Sequence, residues 1–202
     1  MNKIIFDIET RNIFADVGSD NPADLDISVL SLYDYKTDKY YSFLQEDFDK
    51  MWPFFENADV LITFNGKHFD LPLLQKYAPF DLSRIKHLDI FQKVQESIGR
   101  KIGLDTIANQ TLGEAKSANG LQAVAWWNEG KVDEIIKYCE KDVEVTKNVY
   151  EYAKENKILY FEDRNTKAKT EIKLNPETWE DRENSENDLF GSAGNNEPLT
   201  LF

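Results

Sequence analysis

Cysteine is almost absent. Cys139 is the single one in 202 residues, so no internal disulfide can staple the chain, which agrees with a reducing compartment and leaves packing as its expected role. Histidine is nearly as scarce, and the separation of His68 and His87 has no metal-ligand spacing, which argues against a zinc site. No apolar run is long enough to span a bilayer, and the opening MNKIIFDIET lacks a basic region, an apolar core and a small-residue cleavage site. The expected location is cytoplasmic, with no membrane partner. Positive charge is also in short supply: 24 Lys and Arg face 37 Asp and Glu, a net charge of -13. Phosphate neutralisation needs clustered cations, so broad electrostatic binding of nucleic acid is excluded and any such contact must be local. One stretch departs from this balance. Arg84, Lys86, Lys93, Arg100, Lys101 and Lys116 stand there against Asp89, Glu96, Asp105 and Glu114. A solvated face is the plain reading of it, a weak positive patch the other.

What the chain does have is enough apolar content, 41%, to bury a core in one domain with an appendage. NKIIFDIET reads as a first strand, and ISVLSLYDY and KYYSFL alternate around KTD as a hairpin. EDFDKMWPFFENA has helical spacing interrupted by Pro53, and DVLITFN returns to a short β-branched run. From DLPLLQKYA to YEYAKEN the spacing is mostly helical, with glycines as punctuation, although Asp89 after Leu88 marks a strand end and reads as structural. KILYFEDRNTKAKTEIKL alternates again around RNTK, as a small hairpin. After Asn175 the composition turns to Asn, Glu, Ser and Gly with few apolar residues, as in a flexible tail. The expected division is a main domain over 1–158, a hairpin over 159–175 packed on it, and an acidic tail over 176–202.

The acids fall into three groups. On the first strand, period-two geometry turns Ile4, Phe6 and Ile8 one way and Ile5, Asp7 and Glu9 the other. Two carboxylates one residue apart repel, so either they face water or something positive is bound between them. In FNGKHFDLPLL, Asp70 sits at a strand-to-helix junction with Pro72 in the first turn; alone, it reads as an N-cap. In VDEIIKYCEKDVEVTKNVYEYAKEN, Tyr138 and Asp142 are four apart and share a helix face flanked by Ile135 and Val145. Alone, Asp142 reads as surface charge.

In this order, Asp7 and Glu9, then Asp70 after Asn65 and Phe69, then Tyr138 and Asp142 resemble the three motifs of the DEDD 3′–5′ exonucleases. The match is to the tyrosine subclass, because the position where the other subclass has histidine is Lys137. The N-x-x-x-F-D form of the second motif resembles the proofreading domains of family B DNA polymerases. The stretch LDTIANQTLGEAKSANGLQAVAWWNEGKVDEIIKYCEKDVEVT is similar to small stand-alone predicted exonucleases, a resemblance that runs over residues 1–175.

The resemblance implies an α/β ribonuclease H-like fold, a mixed β-sheet flanked by helices, with the C-terminal hairpin and a disordered tail. It implies metal-dependent hydrolysis at a single-stranded DNA or RNA 3′ end. Two ions, Mg2+ or Mn2+, would sit about 4 Å apart between Asp7, Glu9, Asp70 and Asp142. Asp7 would bridge both, Glu9 and Asp142 would complete one site, and Asp70 would support the other through water. Tyr138, with a reference pKa of about 10, would position the attacking water and not act as its base. Thr10, Asn65 and Phe69 match positions that touch the terminal nucleotide, Phe69 reading equally as core. Lys116 is a candidate phosphate contact or an exposed loop lysine. Trp126 and Trp127 read as packing. The ending PLTLF resembles the peptide by which bacterial replication and repair proteins hold the sliding clamp. Leu199, Leu201 and Phe202 supply its anchors, with Pro198 where Gln usually stands, and a frayed terminus is the alternative. Two other readings stay open: a structure-specific endonuclease on the same fold, and a non-catalytic module that binds nucleic acid or the clamp.

Overall fold

The computed structural model describes residues 1–114 and 120–181. Its first strand, β1 (Lys3–Thr10), is followed by a single-turn helix, α1 (Phe14–Val17), and by the hairpin of β2 (Ile27–Asp34) and β3 (Lys39–Leu44). Next come α2 (Phe48–Glu56), β4 (Val60–Thr63), α3 (Asp70–Gln75), β5 (Lys86–Asp89) and α4 (Ile90–Ile98). The helices α5 (Leu104–Leu112), α6 (Gly120–Asn128) and α7 (Val132–Asn156) lead to the terminal strands β6 (Ile158–Glu162) and β7 (Lys169–Lys173). Five strands make one sheet in the order β3-β2-β1-β4-β5. β1 is antiparallel to β2 and parallel to β4, and β4 is parallel to β5, so the sheet is mixed. As expected from the alternation around RNTK, β6 and β7 form a separate antiparallel pair.

The central position of β1 explains its near-continuous apolar sequence, since both faces are covered. Ile4, Phe6 and Ile8 enter one core with Phe48, Met51 and Phe55 of α2 and Leu73 and Leu74 of α3. Ile5 enters the other with Val143, Val149, Tyr150 and Ala153 of α7. The odd-numbered face therefore lies under α7, and with it Asp7 and Glu9. A β-bulge at Glu9/Thr10 breaks the ladder with β2 where the strand leaves the core.

Two features differ from the sequence reading. Pro53 does not interrupt α2, which runs through it from Phe48 to Glu56. The buried Phe48, Met51, Trp52 and Phe55 recur at helical spacing on both sides of Pro53, and this packing outweighs the lost backbone donor. The domain also does not stop at Asn175. A 3-10 turn over Pro176–Thr178 returns Trp179 to the core, 5% exposed and stacked on Tyr150 with ring centroids 6.3 Å apart. Glu180 pairs with Lys154 at 3.1 Å, and the Lys86 ammonium donates to the Asp181 carbonyl. Residues 176–181 thus belong to the folded unit because one tryptophan supplies the apolar area that the surrounding composition lacks. The rest of the expected tail, with Leu199, Leu201 and Phe202, lies outside the described residues, as does Lys116.

Candidate active site

β1 delivers two acids and α7 a third. The helix presents its apolar stripe, Ile135, Cys139, Val143 and Thr146, to the sheet, and Tyr138 and Asp142 flank that stripe one turn apart. Carboxylate oxygens of Asp7, Glu9 and Asp142 all lie within 4.8 Å of one another. The fourth acid, Asp70, comes from the first turn of α3 and is 4% exposed. Its Oδ1 is buried without a hydrogen-bond partner.

Such a cluster is unfavourable when fully charged. Burial, then the charges of Asp70, Asp142 and Glu9, hold the Asp7 carboxyl well above the usual carboxylate range. Burial, then Asp142 and Asp70, push Glu9 up to about 8. Burial raises Asp70 to about 7, against the backbone N–H groups of Asp70 itself and Ile8. Tyr138 is held in its neutral form, first by burial and then by Asp142, Glu9 and its hydrogen bond to Asp142. An all-oxygen donor set with converging repulsion and one orphaned buried oxygen fits a hard divalent cation, which takes carboxylate and water ligands. Asp7, Glu9 and Asp142 are close enough to share one, and Asp70 faces the same space.

The loop that leads to Asp70 is fixed from below. Asp89, 3% exposed at the end of β5, accepts N–H bonds from Asn65 at 2.8 Å, Lys67 at 3.0 Å and Phe91 at 3.0 Å. Asn65 takes a left-handed φ of 71° inside this clasp. Gly66 donates to Thr63 Oγ1 at 3.1 Å, and a Cβ there would collide with the same oxygen. The sequence marked Asp89 as structural; its structural role is to shape the approach to the acids.

The acids open into a cleft of about 590 Å³ whose other walls are mostly apolar. Thr10, Asn65 and Phe69 line it, so the structure brings these three beside the four acids. Phe14, Phe64, Leu121 and Val124 complete the walls. No sequence signal distinguished Phe14, Leu121 or Val124 from core residues. Phe69 meets Phe14 edge-on at 6.3 Å and stays partly buried, serving both the core and the cleft. Cys139 packs as expected, fully buried, with its thiol donating to the Asp7 carbonyl at 3.3 Å. Trp126 meets the Tyr138 ring at 6.2 Å, and the Arg11 guanidinium lies 4.4 Å over Trp127. His68 and His87 take no part in the acid cluster; His87 Nε2 bonds Thr63 Oγ1 at 2.8 Å. A separate hollow of about 270 Å³ between β5 and Trp179 is lined by Leu71, Leu82 and Leu88, and its one acid is Asp89, already bonded by three backbone N–H groups.

A mixed sheet with acids on its central strand and on the helix that crosses it defines the class. The chain belongs to the RNase H superfamily, whose family model matches residues 4–154. Among solved structures, it is similar to the family B DNA polymerase from the hyperthermophilic archaeon Pyrobaculum calidifontis, with a TM-score of 0.57 at 18% identity. The match covers 76% of this chain and 24% of the polymerase, so the likeness is one of fold and spans about a quarter of that protein. No curated protein sequence matches the chain.

Proposed function

We propose that the chain is a metal-dependent 3′–5′ exonuclease of the tyrosine-bearing DEDD type, hydrolysing the phosphodiester at the 3′ end of a nucleic-acid strand. The observation that carries this reading is the convergence of Asp7, Glu9 and Asp142 within 4.8 Å beside the orphaned Asp70 oxygen, at the mouth of an apolar cleft. Asp7 would be shared between two Mg2+ or Mn2+ ions, Glu9 and Asp142 would complete one site, and Asp70 would serve the other. When bound, such ions neutralise the phosphate and lower the pKa of a coordinated water.

The chain's own residues supply the rest. The apolar walls seat the terminal base and exclude bulk water from it, with Phe69 placed to stack or wedge. Asn65, held in place by Asp89, presents its side chain at the cleft. Tyr138 stays neutral, so it orients the attacking water by hydrogen bonding and takes no proton from it. Water adds to phosphorus and gives up a proton to solvent, the bond to the 3′ oxygen breaks, that oxygen takes a proton from solvent, and a nucleoside 5′-monophosphate leaves. The fold likeness to a family B polymerase is in keeping with the motif resemblance to proofreading domains.

A 5′-labelled single strand, DNA and RNA in parallel, with Mg2+, Mn2+ or EDTA, tests the proposal. The expected result is a metal-dependent ladder shortened from the 3′ end, lost in Asp142→Ala and blocked by a modified 3′ terminus. Cutting of a closed circle would favour an endonuclease, and no cutting with either metal would overturn the enzymatic reading.

A further inference from the structure

The cleft does not end at the acids. Beyond Asp142 a second hollow of about 610 Å³ opens between the start of α5 and the β6–β7 turn, and it shares Gly120 and Asp142 with the apolar cleft. The two spaces meet at the catalytic acids but differ in chemistry. The apolar cleft offers Phe14, Phe69, Leu121 and Val124, whereas the second offers Thr106, Asn109, Gln110 and Arg164. A strand bound by its 3′ end has the same two parts, a terminal base to be seated and a charged backbone that must lead away.

The charge distribution points the same way. In a chain of net charge -13, the corner around the second hollow gathers Arg100 of the stretch singled out in the sequence with Arg164 and Lys167 of the β6–β7 turn. Arg100 is held by Asp163 at 2.6 Å and Lys167 by Glu162 at 3.6 Å. Among the described residues no carboxylate pairs with Arg164, which lines the hollow itself. The helix α5 has Gly103 at its N-cap and so no side-chain cap, and its positive end also borders this space. Asp105 and Glu162 line it too, so the contact is a local one centred on Arg164 and not a broad basic track. The turn that carries Arg164 lies outside residues 4–154, the part matched by the family model.

Resting on the exonuclease reading, we infer that this polar groove, from Asp142 across the start of α5 to Arg164, carries the backbone of a single strand whose 3′ end occupies the apolar cleft. Arg164 holds a phosphate upstream of the reacting one. The β6–β7 hairpin is then part of the substrate site as well as a cover for the core.

Binding in Ca2+, a hard ion the carboxylates can hold, separates this from the catalytic question. Fluorescence anisotropy of the full chain would compare a labelled single strand of about 16 nucleotides with a labelled dinucleotide. The expected result is that Arg164→Glu weakens the long strand about tenfold and lowers its salt slope by about 0.7, the value for one phosphate contact on a single strand. Arg164→Lys should bind nearly as the parent does, and dinucleotide affinity should be unchanged. Lys50→Glu, an equal charge change at an exposed position on α2, should leave both unchanged. Equal weakening of long strand and dinucleotide, loss as large in Lys50→Glu, or no loss in Arg164→Glu would each overturn the inference. A chain that binds in this pattern but cuts nothing would sink the exonuclease reading alone, and one that binds no strand would sink both.

Discussion

Glu9 is 7% exposed, and Asp142 and Asp70 oppose its ionisation, so in the metal-free protein its charge is a liability. Glu9→Gln keeps the shape and removes the repulsion. At pH 8 in EDTA the variant should melt about 2–4 °C higher for each kcal/mol of repulsion relieved. On the proposed function the same change also removes a metal ligand and should lower cleavage about 100-fold. A lower melting temperature would show that Glu9 is balanced by something other than a bound cation. Asp89 presents the opposite case, a buried acid held by three backbone N–H donors. Asp89→Ala strands the N–H groups of Asn65, Lys67 and Phe91, and at about 1 kcal/mol or more for each buried donor left unpaired it should cost at least about 3 kcal/mol in urea unfolding. Asp89→Asn retains one acceptor oxygen and should fold, with KM raised more than kcat is lowered, because the loss falls on the loop presenting Asn65. A kcat loss with unchanged KM would place Asp89 closer to the chemistry than the structure does.

The C-terminal turn shows how an element is decided by one side chain. Trp179→Ala in the full chain should cost about 3–5 kcal/mol, the range for emptying a buried large aromatic site, and a chain ended at residue 175 should lose at least as much. Thermal melts of the two variants against the parent decide it, and unchanged melting would return residues 176–181 to the tail. The sequence hid this contact because a lone tryptophan among polar residues has no period. Where periodicity existed, it was legible: the alternation of β1 put Asp7 and Glu9 opposite Ile4, Phe6 and Ile8, and the four-residue step on α7 paired Tyr138 with Asp142. Ordered motifs then linked acids more than sixty residues apart. What remained hidden depends on elements meeting in space. Leu121 and Val124 reach the cleft only because α6 lies over the end of β1, and α2 passes Pro53 only because both of its halves pack on the sheet.

At the scale of the whole molecule, the acid cluster ties stability to pH and, on the proposed function, to divalent ions. In the folded, metal-free chain Glu9 titrates near 8 and Asp70 near 7, against ordinary values of 4.5 and 3.8. Across that window the native state holds protons that the unfolded chain has released, so unfolding free energy falls as pH rises. The stability contributed by the protonated carboxyls is complete below the ordinary values and is lost as pH passes through the raised ones. His87 acts in the other direction. Burial lowers it from 6.5 to about 4, so its contribution is present above 6.5 and lost on acidification. Between pH 6.5 and 8 the raised carboxyls of the cluster therefore set the trend, and the melting temperature in EDTA should decline across that interval. On the proposed function, Mg2+ or Mn2+ would replace the missing protons and should stabilise the native state by mass action, more strongly at pH 8 than at pH 6.5 because protons compete for the same oxygens. Melting curves at the two pH values, with and without metal, measure this. A metal-induced shift that is equal at both, absent from the parent, or as large in Asp142→Ala as in the parent would mean that the carboxyls are not where the ions bind.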